Sequence, residues 1–188
     1  MLKYGVLATV LMIAPAAAQR LQPGEVRLTM GAWKGTVEVD AFTKKEKIII
    51  TNERRGTGLV MRCMSDGLSI GWFAGVFADK YTVGDEGELR LRIGEDIVGP
   101  FELTALNDLF AVGPLKVDQL DRIAKAKTEI GYKIEMKGIS ATGGLGAART
   151  AEVAARLKRS CAGESTLPST VKEEIKPKGD GKIEEKVH

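Results

Sequence analysis

The sequence predicts an α+β domain: a mostly antiparallel β-sheet or sandwich packed by two helices. Three observations carry this. Short apolar–polar alternations recur between residues 35 and 113, and glycine- or aspartate-bearing turns separate them. Two segments with helical apolar spacing follow, the second ending in a cysteine.

Residues 19–25 read as a short irregular lead. From Gly35 to Asp40, Val37 and Val39 share one face and Thr36 and Glu38 the other. Ile48-Ile49-Ile50 is a β-branched run of the kind found in strands buried on both sides. Leu59 to Cys63 and Leu68 to Phe73 are two further strands, joined by the turn Ser65-Asp66-Gly67. Glu88 to Ile93 alternates Leu89, Leu91 and Ile93 inward with Glu88, Arg90 and Arg92 outward. Ile97 to Leu103, bent at Gly99-Pro100, and Leu109 to Val112 complete this series.

In the first expected helix, Val117 to Thr128, residues Val117, Leu120, Ile123 and Ala124 share a face. Tyr132, Ile134 and Met136 alternate with Lys133, Glu135 and Lys137 as a strand. Gly138 to Gly146 reads as a glycine-rich loop. The second helix is expected from about Leu145 to Cys161. Val153, Leu157 and Cys161 form its buried stripe, and Arg149, Glu152, Arg156 and Arg159 its exposed side.

Three stretches divide the chain: a leader over 1–18, a single domain over 19–163 and a charged tail over 164–188. The leader has the form of a secretory signal. Lys3 is the positive n-region, Val6 to Ile13 the apolar stretch, and Ala16-Ala17-Ala18 the small-residue site, so cleavage is expected between Ala18 and Gln19. The tail mixes Lys and Glu with few apolar groups and is expected to be disordered. Nothing after residue 18 is long and apolar enough to span a bilayer as a helix.

Export places Cys63 and Cys161 where disulfides persist, and an even count without CxxC spacing favours one bridge between them. A metal pair or a reactive thiol is the alternative. Met61, Cys63 and Met64 are the soft ligands that copper(I) selects, but alternation puts Met61 and Cys63 on one face and Met64 on the other.

A formal charge of +3 over 188 residues, with 5% aromatics, lacks the dense basic stripe and stacking platform of a nucleic-acid binder. Gly67-Leu68-Ser69-Ile70-Gly71 spells the G-x-S-x-G of a hydrolase elbow. Ser69, however, sits in a strand-like stretch, and the only histidine is the terminal His188. Gly138 to Gly146 precedes a helix, as phosphate loops do, but Gly144 stands where a P-loop needs lysine and Arg149 where a dinucleotide fingerprint needs glycine. Asp79, Asp85, Glu86, Glu88, Glu95 and Asp96 flank one strand without calcium-loop spacing. No catalytic residue, metal ligand or cofactor is assigned. The remaining candidates are Arg62, Arg90 and Arg92, cations able to receive an anionic ligand or a partner's carboxylates, or to pair with Glu88 or Glu95.

The strand Leu59-Val60-Met61-Arg62-Cys63, the strand Leu89-Arg90-Leu91-Arg92 and the run Gly138…Ala147…Leu157…Cys161 resemble the pattern of VasI-type accessory proteins of type VI secretion. Invasion-associated IalB-like proteins are similar more loosely. The likeness covers about residues 59–161. It implies a mostly β periplasmic domain with one disulfide, an accessory or interaction role and no enzymatic activity. The expectation is therefore a periplasmic, non-enzymatic protein of a Gram-negative bacterium that binds another envelope protein. The alternatives are a periplasmic binder of a small anion or a metal near Arg62, Arg90, Arg92 or the Gly143 loop, and a hydrolase using Ser69.

Overall fold

The computed structural model describes residues 25–40, 42–75 and 81–164. The expected leader, the tail from residue 165, Asp79 and His188 lie outside them.

The alternations translate into antiparallel strands in order: β1 (Glu25–Met30), β2 (Trp33–Val39), β3 (Glu46–Arg54), β4 (Thr57–Met64), β5 (Gly67–Phe73), β6 (Glu86–Ile93), β7 (Asp96–Ala105) and β8 (Phe110–Pro114). Helix α1 (Val117–Ile123), β9 (Glu129–Met136), β10 (Ile139–Gly146) and helix α2 (Thr150–Cys161) follow. Among the described residues the ten strands form one sheet in the order β1-β2-β3-β4-β5-β8-β7-β6-β9-β10. The sheet curls until β10 approaches β3. There the Asn52 side-chain amide donates to the Gly146 carbonyl at 2.6 Å, and Arg54 Nη1 donates to that of Gly144 at 3.2 Å.

One hydrophobic core lines the inner face of this curl. Ile48 and Ile50 of β3, Leu59 and Met61 of β4, Leu89 and Leu91 of β6 and Ile130 and Ile134 of β9 are fully buried in it. Helix α2 crosses this face against β3, β4 and β5, burying Val153 and Leu157, and α1 packs on α2, β6 and β7. Buried polar contacts fix α2 at both ends: Trp33 Nε1 donates to Thr150 Oγ1 at 3.1 Å, and Ser160 Oγ donates to a carboxylate oxygen of Glu46 at 3.0 Å. The Cys63–Cys161 disulfide, with Cα atoms 5.6 Å apart, ties the end of α2 to β4. The expected class, mostly antiparallel sheet with two helices and a disulfide-linked terminal helix, is what the fold has.

Several boundaries differ from the sequence reading. Gly138 to Gly146 is not a loop: Ile139 to Gly146 pair with β9 without interruption, Leu145 facing Ile130. Glycine's poor strand propensity hides such an edge strand from composition. Helix α2 accordingly begins at Thr150, after Arg149 turns the chain at φ 66°. Helix α1 ends at Ile123, and Val117 is 55% exposed, so it is not on the buried face. Ile49 is 38% exposed, because the outer face of this half of the sheet is open to solvent, and the Ile48–Ile50 run is buried on one side only. Strand β1 starts where the irregular lead was expected to end. Cys161 is exposed although bonded to the buried Cys63. Arg156 is half-buried, and its Nε and Nη2 are buried without a hydrogen-bond partner among the described residues. Burial holds that guanidinium below its ordinary pKa, with nearby Glu46 opposing the shift.

Candidate binding site

The outer face of β6, β9 and β10 is built from three cross-strand rows. Ser140, Glu135 and Glu88 form one, Thr142, Lys133 and Arg90 the next, and Gly144, Gly131 and Arg92 the third. Period-two alternation sends these side chains outward while Leu89, Leu91, Ile130 and Ile134 point to the core. The glycines of the third row leave a hollow of about 670 Å³, bordered by Arg90, Arg92, Lys133, Glu129, Ile97 and Thr142.

A side chain at these glycines would crowd the neighbours that now fold over them. A methyl group at Gly131 would lie 3.4 Å from Nε of Arg92, whose side chain folds over that position. The Glu129 carboxylate occupies the equivalent place over Gly144. On the inner side, a methyl group at Gly143 would lie 2.6 Å from the hydroxyl of Tyr132, whose ring packs 4.4 Å from Trp72 centroid to centroid. The floor of the hollow is thus thin and backed by aromatic packing.

The cations are not equivalent. Arg90 is ion-paired to Glu88, and Lys133 to Glu135 at 2.8 Å. The Lys133 hydrogen bond, reinforced by both cations' charge, holds the Glu135 carboxyl below its usual pKa. The side chain of Arg92 has no hydrogen-bond or ion-pair partner among the described residues, and neither does that of Glu129. Ion pairs this exposed are weak and exchange readily with a ligand. Arg122 stabilises the rim at Ile97. Its Nε donates to Asp96 at 2.9 Å and its Nη2 to the same carboxylate and to the Ile97 carbonyl, keeping the Asp96 pKa below its ordinary value.

Of the predicted cations, the structure brings Arg90 and Arg92 together with Gly143 and leaves Arg62 apart. Strands β5, β8 and β7 lie between β4 and β6. Arg62 donates through Nε to Ser69 Oγ at 2.8 Å, pairs with Asp66 at 3.2 Å and stands 6.0 Å over the Phe110 ring. Ser69 lies within β5 rather than at a strand-to-helix turn, with its hydroxyl already accepting that bond. The acidic residues disperse: Asp85 accepts from the Thr82 amide, Asp96 from Arg122, and Glu88 pairs with Arg90.

Lys133, Glu129, Gly131 and Thr142 belong to the site and were not singled out in the sequence. The outward alternation of Lys133 with Arg90 was visible there, but their adjacency depends on β9 pairing with β6 across 43 residues of sequence. No family model, curated protein or solved structure matches the chain. Among the described residues, no helix is long and apolar enough to cross a membrane.

Proposed function

We propose that the protein is an exported, periplasmic, non-catalytic accessory protein that binds another envelope protein, and that the outer-face hollow of β6, β9 and β10 is its contact site. One observation carries the reading: among the described residues the Arg92 side chain lies unpaired over a glycine floor, beside two more cations whose ion-pair partners there are the half-buried Glu88 and the exposed Glu135. An unpaired guanidinium at a concave site suits a carboxylate, which it can hold bidentately. The leader sequence and the disulfide support a location outside the reducing cytosol.

The test uses the full-length chain in its native host with a photo-crosslinking residue replacing Thr142. The expected result is one envelope protein captured in the wild-type background and lost with Arg92→Glu. Capture that is indifferent to Arg92→Glu removes the site from the proposal. A second reading, a small free anion, is favoured by the size of the hollow. It predicts that dicarboxylates or inorganic phosphate raise the melting temperature of the wild type but not of Arg92→Glu, since a ligand of the native state alone must stabilise it.

A further inference from the structure

We propose that the partner binds by strand addition: an extended segment of another protein, with acidic and apolar residues in alternation, pairs with the open edge of β10. The inference rests on the reading of the hollow above and adds the form in which the partner arrives.

Strand β10 is the last in the sheet, so among the described residues one side of its backbone has no neighbouring strand. The ladder alternation says which groups point there. Ala147 N–H donates to Thr128 on the β9 side, whereas the carbonyls of Gly144 and Gly146 face away and accept from Arg54 and Asn52. The even-numbered residues therefore present N–H and C=O to the edge. At the Gly144–Gly146 end, Arg54 and Asn52 occupy the carbonyls. At Ser140 and Thr142 no hydrogen bond to another element is made among the described residues.

Natural edge strands are guarded by lysine, proline, bulges or short length. This one has none of these: Ile-Ser-Ala-Thr-Gly-Gly-Leu-Gly contains no charge and no proline, and its register is unbroken over 8 residues. By contrast, the opposite edge strand β1 carries Glu25 and Arg27.

The two faces of the edge specify what an added strand carries. On the inner side Ile139 and Ala141 are only partly buried against the core, so apolar residues of a new strand extend that surface. On the outer side a carboxylate opposite Thr142 shares its row with Lys133 and Arg90, and Arg92 lies in the next row on β6, its side chain reaching over Gly131 of β9. Glu129, folded over Gly144, repels a second carboxylate there and so fixes the register. Backbone bonds then supply affinity and the alternating side chains specificity. A second copy pairing β10 to β10 is the disfavoured occupant, because β10 has no carboxylate to offer.

The test is calorimetric titration of the disulfide-intact protein with a synthetic peptide of alternating Glu and Val. Three controls accompany it: the same peptide N-methylated at every second amide, a Lys–Val peptide, and the variants Thr142→Pro and Arg92→Glu. Thr142 N–H faces the open edge, a position where proline leaves the existing ladder intact. Expected are binding of the Glu–Val peptide, a loss of about tenfold or more for Arg92→Glu and for the Lys–Val peptide, and no binding after N-methylation or with Thr142→Pro. Binding that survives both N-methylation and Thr142→Pro but falls with Arg92→Glu overturns strand addition and leaves the hollow as the site. No binding by any peptide overturns strand addition as well, and the cross-link at residue 142 then judges the hollow separately. A dimer in sedimentation that Thr142→Pro dissolves makes a second copy the occupant and overturns the proposal.

Discussion

Tyr81 shows how a single polar atom affects stability. The residue is 4% exposed, its hydroxyl has no hydrogen-bond partner among the described residues, and burial pushes its pKa up to about 12. A buried hydroxyl without a partner has lost its water and gained nothing, at a cost of about 1–3 kcal/mol. Tyr81→Phe is therefore expected to be neutral or stabilising in urea denaturation, against the usual trend for core substitutions. Asp40 is the opposite case. Its carboxylate accepts from the Thr43 amide at 2.8 Å and the Phe42 amide at 3.0 Å, which lowers its pKa to about 2 and closes the β2–β3 turn. The folded pKa lies below the unfolded one, so the stabilisation is complete above 3.8 and is lost as pH falls through about 2. Asp40→Ala should lower the melting temperature at neutral pH, and the gap to wild type should narrow below pH 3.8 and close as pH falls through about 2.

At the scale of elements, α2 joins the two ends of the fold. Leu157 is fully buried under it, so Leu157→Ala should cost about 2–5 kcal/mol. Val117→Ala on α1 should cost less than about 0.5 kcal/mol, because that side chain is 55% exposed. Both are read from denaturant midpoints. The disulfide closes 98 residues of chain, and its reduction should lower stability by about 2–5 kcal/mol without abolishing the sheet, monitored by circular dichroism with and without reductant. The α2 stripe was legible because Val153 and Leu157 keep helical spacing across one turn. Strand β10 was not, because Ile139 to Gly146 carries few of the side chains that mark strands, and its pairing with β9 alone makes it one.

The whole molecule decides the site. Arg90 and Arg92 were recognisable as outward cations from the Leu89–Ile93 alternation, and Arg62 by its place in an apolar run. Only the strand order separates them: β9 and β10 join Arg90 and Arg92, while Arg62 lies across β5, β8 and β7. Arg92→Glu removes no ion pair or side-chain hydrogen bond among the described residues, so it should change the unfolding free energy by less than about 0.5 kcal/mol while changing binding. Binding at an exposed cationic site should also weaken as salt rises from 0.01 M towards about 0.15 M, as screening shortens to about 8 Å.

The sequence by itself determined the class of fold, the two cysteines that pair and the inward–outward sense of most strands. Each of these follows from local periodicity or from a count, and both are properties of a linear string. The tertiary structure alone decided which outward residues share a surface, that a glycine-rich segment is an edge strand, and that Arg92 stands unpaired above a glycine floor. Those are consequences of pairing between strands far apart in the chain, and periodicity within a strand carries no information about its neighbours.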